Sequence, residues 1–178
     1  MTADSSLLVN SDCHPHLFHF NIRYSWHVLY RLYQPVDFEL LYAVEVACFQ
    51  PPFRFSRSYL RQIIDGPNSA TWIAEENGSI AGFAVVEWTS DLNRSAYIQT
   101  IEILAEFRRV GTAGELMMRL EQSAIDAGAG LIWLHVDTEN QAAIRLYEKA
   151  GFVLHGREEN YYPRGRDALV YRKHLANR

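Results

Sequence analysis

Apolar residues recur along this chain with two spacings, alternate positions in some stretches and every third or fourth position in others, and the switches between them divide it into elements. His27 to Tyr33 predicts a first strand. Pro35-Val36-Asp37 then opens a helix whose apolar positions are Phe38, Leu41, Tyr42 and Val46. Phe49-Gln50-Pro51-Pro52-Phe53 interrupts the pattern with a restricted apolar loop, and a second helix runs from about Ser56 to Ile64. Thr71 to Glu75 and Ile80 to Trp88 flank Asn77-Gly78, a pair that tolerates the positive φ angles of a tight hairpin turn. Tyr97 to Leu104 continues the sheet. Gly111 to Ala127 is helical, with Leu116, Met117, Leu120 and Ala124 on one face and Gly128 and Gly130 as its stop. Leu131 to Val136 reads as a buried strand, and Asn140 to Lys149 as a helix ended by Gly151. Phe152 to Arg157 and Ala168 to His174 read as a closing antiparallel pair. The sum is a mixed α/β sheet of about seven strands.

Composition narrows the class. The 178 residues fit one domain with a core of useful size, preceded by an arm over residues 1–26, so the folded domain is expected at 27–178. The net charge of −4 is spread among interspersed signs, which leaves no broad basic face for nucleic acid. No apolar run approaches the ~20 residues of a membrane span. Met1 to Asn21 lacks the basic and apolar regions of a signal peptide, so the cytoplasm is the expected compartment. Cys13-His14-Pro15-His16-Leu17-Phe18-His19 carries metal-ligand types, but no second cluster completes a site, and no metal is assigned.

Candidate chemistry begins where the Tyr97 to Leu104 strand meets the next helix, at Arg108-Arg109-Val110-Gly111-Thr112-Ala113. The first N–H groups of a helix have no backbone partner and sit at the positive end of its dipole. Small residues at Gly111 and Ala113 keep those groups uncovered, and two arginines add charge, so the turn suits a pyrophosphate. By itself this spacing also describes an ordinary helix start flanked by surface arginines.

A second segment, Asn140-Gln141-Ala142-Ala143-Ile144-Arg145-Leu146-Tyr147-Glu148-Lys149-Ala150-Gly151-Phe152, follows some thirty residues later. Together the two resemble the GNAT superfamily of acyl-CoA N-acyltransferases, marked by R/Q-x-x-G-x-G/A and then N-x-x-A-x-x-L-Y-x-x-x-G-F. The resemblance runs from about Val28 to Leu175. It implies the GNAT fold, a mostly antiparallel sheet with about four helices on both faces. It also implies acetyl-CoA as acyl donor, held by Arg108 to Ala113, by Asn140 and by backbone pairing along Ile101, Glu102 and Ile103. Tyr147 takes the place of the family's general acid beside the thioester sulfur. Read locally, Asn140 is the N-cap of its helix and Tyr147 a core tyrosine beside Leu146; the cap and a cofactor contact are compatible.

The resemblance points to a base as well. Ribosomal-protein alanine N-acetyltransferases carry glutamate twelve residues before that Tyr, where this chain has His135. N-α-acetyltransferases for Met-hydrophobic N-termini have histidine there and a tyrosine early in the fourth strand, matching Leu134-His135-Val136 and Tyr97-Ile98-Gln99-Thr100. Histidine suits an α-amine: with a pKa of about 8 such an amine is roughly one-tenth neutral at pH 7, against about one lysine in a few thousand. Arg157-Glu158-Glu159-Asn160-Tyr161-Tyr162-Pro163 resembles the loop that clamps an acceptor peptide, opposite Phe49, Gln50, Pro51 and Pro52, although the Gln-Pro-Pro departs from the F-P-V of the Met-hydrophobic class. The implied acceptor is a peptide or protein N-terminus, with a small-molecule amine, a lysine, or simple acyl-CoA binding as the alternatives. The resemblance makes Glu102 an unusual residue for its position; it reads as an alternative base or as a solvent-facing carboxylate, with solvent the expectation.

Overall fold

The computed structural model describes residues 28–90 and 94–175. The arm over 1–26, with Cys13, His14 and His16, and the strand start at His27 lie outside the described residues. Seven strands form one sheet: β1 (Val28–Leu32), β2 (Ser69–Glu76), β3 (Ser79–Trp88), β4 (Ser95–Ile103), β5 (Leu131–Asp137), β6 (Val153–Tyr162) and β7 (Arg166–His174). Their spatial order is β1-β2-β3-β4-β5-β7-β6, antiparallel throughout except between β4 and β5. Helices α1 (Phe38–Cys48) and α2 (Arg57–Ile64) precede the central strands, α3 (Thr112–Asp126) connects β4 to β5, and α4 (Gln141–Lys149) follows β5. The sheet and helix pattern read from the sequence is the one observed.

Each face of the sheet has its own core. On one, Leu116, Met117, Leu120 and Ala124 of α3 bury themselves against Ile98, Ile103, Ile132 and Leu134. On the other, Phe38, Leu41 and Val44 of α1 and Leu60 and Ile63 of α2 cover Ile73, Phe83 and Val85. Ser56 caps α2 by accepting the Tyr59 N–H at 3.2 Å, and the Asn77-Gly78 turn carries positive φ at both residues, 51° and 78°.

Two elements differ from expectation. Val46, one of the apolar positions of α1, is exposed, and Glu45 beside it is buried. The positions Phe38, Leu41 and Glu45 follow one another at three and four residues, so the helix period itself puts the carboxylate inside. Strand β6 does not stop at Arg157: it continues to Tyr162 through register shifts at Leu154/Gly156 and Glu158/Tyr162, with Asn160 at φ 54°. These irregularities hide the alternation that would mark a strand, so the Asn160-Tyr161-Tyr162 segment read as a loop is an irregular strand end.

Two features of β4 position the site. A register shift at Val85/Val86 lies opposite Gln99, so that Tyr97 and Gln99 before it and Thr100 and Glu102 after it fall on the α1/α2 side. In addition, β4 pairs with β5 only over Ser95–Tyr97 and Leu131–Trp133, and beyond that the two strands part.

Candidate active site

A cavity of about 650 Å³ opens where β4 and β5 diverge. One wall is Ile101, Glu102 and Ile103 of β4; the other is Asn140, Ala142, Ala143, Leu146 and Tyr147 at the start of and along α4. Phe107, Arg108, Arg109, Gly111, Thr112, Ala113 and Gly114 close one end, and Cys48 and Phe49 close the side towards α1.

The end at α3 has the features of an anion cradle. Gly111 is the N-cap residue at φ 97°, a backbone conformation that L side chains rarely adopt. An added Cβ at Gly111 or Gly114 would meet nothing within 4 Å, so these glycines leave the approach to the first helical N–H groups open. Thr112 is buried, its side chain turned to Tyr30. Arg109 stands at φ 66° on the rim. Arg108 is partly committed, since its Nε donates to the Ile103 carbonyl at 2.8 Å. Val110, counted with this turn in the sequence, is 67% exposed and does not line the cavity. The residues present fit a ligand with a pyrophosphate at this end.

Asn140 caps α4 by accepting the Ala143 N–H at 3.1 Å, which fixes the wall that carries Tyr147. Tyr147 is buried beside Phe152, with ring centroids 6.0 Å apart, and it also lines the cavity. Burial pushes its phenol up to about 12, so the hydroxyl stays protonated at neutral pH.

Tyr97 and His135 lie together at the point where the strands part. The Tyr97 hydroxyl is 3.1 Å from His135 Nδ1 and 3.4 Å from the Tyr161 hydroxyl. The Tyr161 ring stacks on the imidazole with centroids 4.0 Å apart, and Trp133 packs edge-on to His135 at 5.4 Å. His135 Nε2 is 3.2 Å from Glu158 Oε1, without hydrogen-bond alignment. Burial, then Tyr161, raises the Tyr97 pKa far above that of an ordinary phenol, so Tyr97 is neutral and donates or relays a proton rather than resting as phenolate. Tyr162 stands next to Tyr161, centroids 4.9 Å apart, and is near enough to Tyr147 to feel it electrostatically. The two tyrosines therefore lie between the histidine and the cavity wall.

The loop between α1 and α2 reaches the turn between β6 and β7. Arg166 and Arg164 place their guanidinium carbons 5.0 and 6.0 Å from the Phe53 ring centroid. Phe49 lines the cavity, whereas Gln50, Pro51 and Pro52 do not. On the α2 side Tyr59 donates to Gln99 at 3.3 Å, and Gln99 in turn donates to Glu87.

Glu102 overturns an expectation: only 2% exposed, it faces the interior, not solvent. The register shift at Gln99 and the short pairing of β4 with β5 together turn its side chain towards α1. The sequence reading also missed Glu45, Cys48 and Glu158. Glu45 had a signal, its place in the apolar period of α1; the other two depend on strand divergence and the late course of β6.

Among the described residues no group of three or more His, Cys, Asp and Glu is arranged to hold a metal ion, and no helix is long and apolar enough to cross a membrane.

A central sheet parted between two parallel strands, with a helix N-terminus at one end of the gap and a tyrosine on the other wall, defines an acyl-CoA N-acyltransferase type of fold. The chain belongs to the acetyltransferase (GNAT) family, whose model matches residues 38–152. It is 31% identical over 101 residues to an uncharacterized N-acetyltransferase of Mycobacterium tuberculosis, across 57% of this chain and 64% of that protein. It is 28% identical over 120 residues to the N-terminal acetyltransferase A complex catalytic subunit ard1 of Schizosaccharomyces pombe, across 65% of this chain and 68% of the relative. Among solved structures, the ribosomal-protein-S18-alanine N-acetyltransferase of Escherichia coli superposes with a TM-score of 0.75 at 24% identity, covering 84% of this chain and 95% of the other. The chain thus spans less than two thirds of the length of the mycobacterial relative.

Proposed function

We propose that this protein transfers the acetyl group of acetyl-CoA to the N-terminal α-amine of a peptide or protein. The observation that carries the reading is the hydrogen-bonded Tyr97–His135 pair under Tyr161, which does not itself line the cavity but is linked through Tyr162 to Tyr147 on the cavity wall. The resemblance to a catalytic subunit that acetylates protein N-termini supports the acceptor class.

In this reading Gly111 to Gly114 and Arg109 receive the pyrophosphate, and the β4 backbone over Ile101 to Ile103 meets the pantetheine amides, with Asn140 on the facing wall. The acceptor amine comes from the side of the Phe49–Phe53 loop, where Phe53 meets Arg164 and Arg166. As the amine nitrogen attacks the thioester carbonyl, Tyr97 takes its proton and passes its own to His135 Nδ1. The resulting imidazolium lies beside the Glu158 carboxylate. The carbon–sulfur bond then breaks, and Tyr147 gives its proton to the departing thiolate. Tyr161 and Tyr162 hold the acceptor backbone with rings and hydroxyls that have few torsions to freeze.

Initial rates of acetyl transfer across peptides varying in their first two residues, with α-blocked lysine peptides and small amines alongside, test the proposal. Turnover confined to free α-amines and lost in His135→Ala is the expected result. Turnover only with lysines or small amines overturns the acceptor class.

A further inference from the structure

Glu45 and Glu102 meet inside the protein from opposite sides of the site. Glu45 comes from α1 and is fully buried, and Glu102 comes from β4 at 2% exposure. The two side chains lie within hydrogen-bond reach of each other. Each has one oxygen already engaged: Glu45 Oε1 accepts the Phe55 N–H at 2.7 Å, and Glu102 Oε1 accepts the Thr100 hydroxyl at 2.9 Å. Both Oε2 atoms are buried with no other protein partner. Two ionised carboxylates cannot stay in contact in such a place, and a single proton between them turns repulsion into a strong O–H···O⁻ bond.

The chemistry assigns the proton. Glu45 already accepts a backbone N–H, and the carboxyl that carries the proton is that of Glu102. Burial, reinforced by the neighbouring Glu45, holds the Glu102 carboxyl well above the usual carboxylate range. Cys48 of α1 lies near both carboxylates and near Arg108. Burial pushes the Cys48 thiol up to about 11, so it is neutral, and the Arg108 Nε is committed to the Ile103 carbonyl.

We propose that Glu45 and Glu102 share one proton and that the resulting bond is a positioning latch, tying the loop over residues 49–55 to the strand that lines the cavity. The latch acts at both ends. Glu45 fixes the loop through Phe55, and that loop also carries Phe49 into the cavity and Phe53 under Arg164 and Arg166. Glu102 lies between Ile101 and Ile103, the other residues of the β4 wall. The functional part of the proposal rests on the reading of that loop as one side of the acceptor entrance. When alkali removes the shared proton, the two carboxylates repel, and the loop loses its anchor.

Two experiments on the full chain test this. In the first, the Glu side chains are labelled with ¹³C at the carboxyl carbon and titrated by NMR without any acceptor. One carboxyl that is still protonated at neutral pH, and absent from Glu102→Gln, is expected; all carboxyls ionised at neutral pH would overturn the proposal. In the second, kcat and KM are followed against pH for the best acceptor in the panel. Wild type is expected to show acceptor KM rising roughly tenfold or more above the pair's upper titration step, with a smaller change in kcat. In Glu102→Gln, whose amide donates to Glu45 at every pH, that rise is expected to be absent. A rise that persists in Glu102→Gln overturns the latch, as does loss of kcat at unchanged KM, which would make Glu102 a direct proton acceptor. If no α-amine turns over, the acceptor class has failed while the NMR titration still decides the shared proton.

Discussion

The Tyr97 hydroxyl and His135 Nδ1 are 3.1 Å apart although their residues are 38 positions apart in the chain. The contact exists because β4 and β5 are parallel neighbours for three residue pairs, which sets Tyr97 beside Trp133 and brings His135 two residues further along the same face. Replacing His135 by Ala is expected to lower kcat/KM roughly 10²–10⁴-fold. Tyr97→Phe, which keeps the ring against Trp133 and loses the relay, is expected to cost about one to two powers of ten. Steady-state rates with both variants, checked for fold by circular dichroism, decide the matter.

The proposed acid gives a separate signature. Tyr147→Phe keeps the packing against Phe152 and removes only the hydroxyl, so CoA binding measured by calorimetry is expected to change little. The drop should fall on kcat, by about 10² or more. A Tyr147→Phe protein with full kcat would remove the residue from the mechanism.

Gly82 lies where β3 faces Ile103, and an added Cβ would run into the Glu102 carbonyl and come within 2.7 Å of Ile103 Cδ1. Backbone cannot swing away as a side chain can. Gly82→Ala is therefore expected to destabilise the fold by about 2–4 kcal/mol, read as a lower thermal midpoint. Because the displaced strand segment is the cavity wall, affinity for CoA should fall with it.

Much of this arrangement was readable before any coordinates. The Gly111 helix start, the Asn140 cap and the Asn77-Gly78 hairpin are local events whose residues are adjacent in the chain, and each appears where the pattern put it. Glu102 was not readable, because its burial depends on a register shift and on strands that separate, neither of which leaves a periodic trace. The late part of β6 failed for a related reason: bulges break the alternation on which strand recognition depends.

Cys48 makes the cavity open to a chemical test. With its thiol pushed up to about 11 by burial, only roughly one molecule in a thousand is thiolate at pH 8, and the thiolate is the reactive form. Alkylation of Cys48 is expected to be slow at neutral pH and to accelerate about tenfold per pH unit until about 11. Bound CoA should slow it further, because Cys48 lines the same space. Mass spectrometry of Cys48 labelling, resolved from Cys13 by peptide, measures both effects.

Acid stability has an identifiable source. Arg31 Nη1 lies 2.7 Å from Asp37 Oδ2, and its Nε lies 2.8 Å from Glu75 Oε2, joining β1, β2 and the turn before α1. The Arg31 hydrogen bond holds the Asp37 pKa below its ordinary value. A depressed folded-state pKa means that the stabilisation is complete above the unfolded value of about 4 and fades as pH falls through the folded value. Asp37→Asn is expected to lower stability by about 2 kcal/mol at neutral pH and to flatten the dependence on acid below about pH 4. Urea unfolding midpoints across that range test both parts.

The divergence of β4 from β5 has one more consequence. Most sheets expose their unpaired backbone only at the two outermost strands, where it invites unwanted pairing. Here the separation after Tyr97 and Trp133 creates an edge in the middle of the sheet, at Ile101 to Ile103, facing inwards and walled by α4. This stretch is laddered to β3 on one side, while its side towards β5 has no strand partner. A ligand whose own amides ran along β4 would supply the missing partner, and the sheet would then reach its full width only while that ligand is bound.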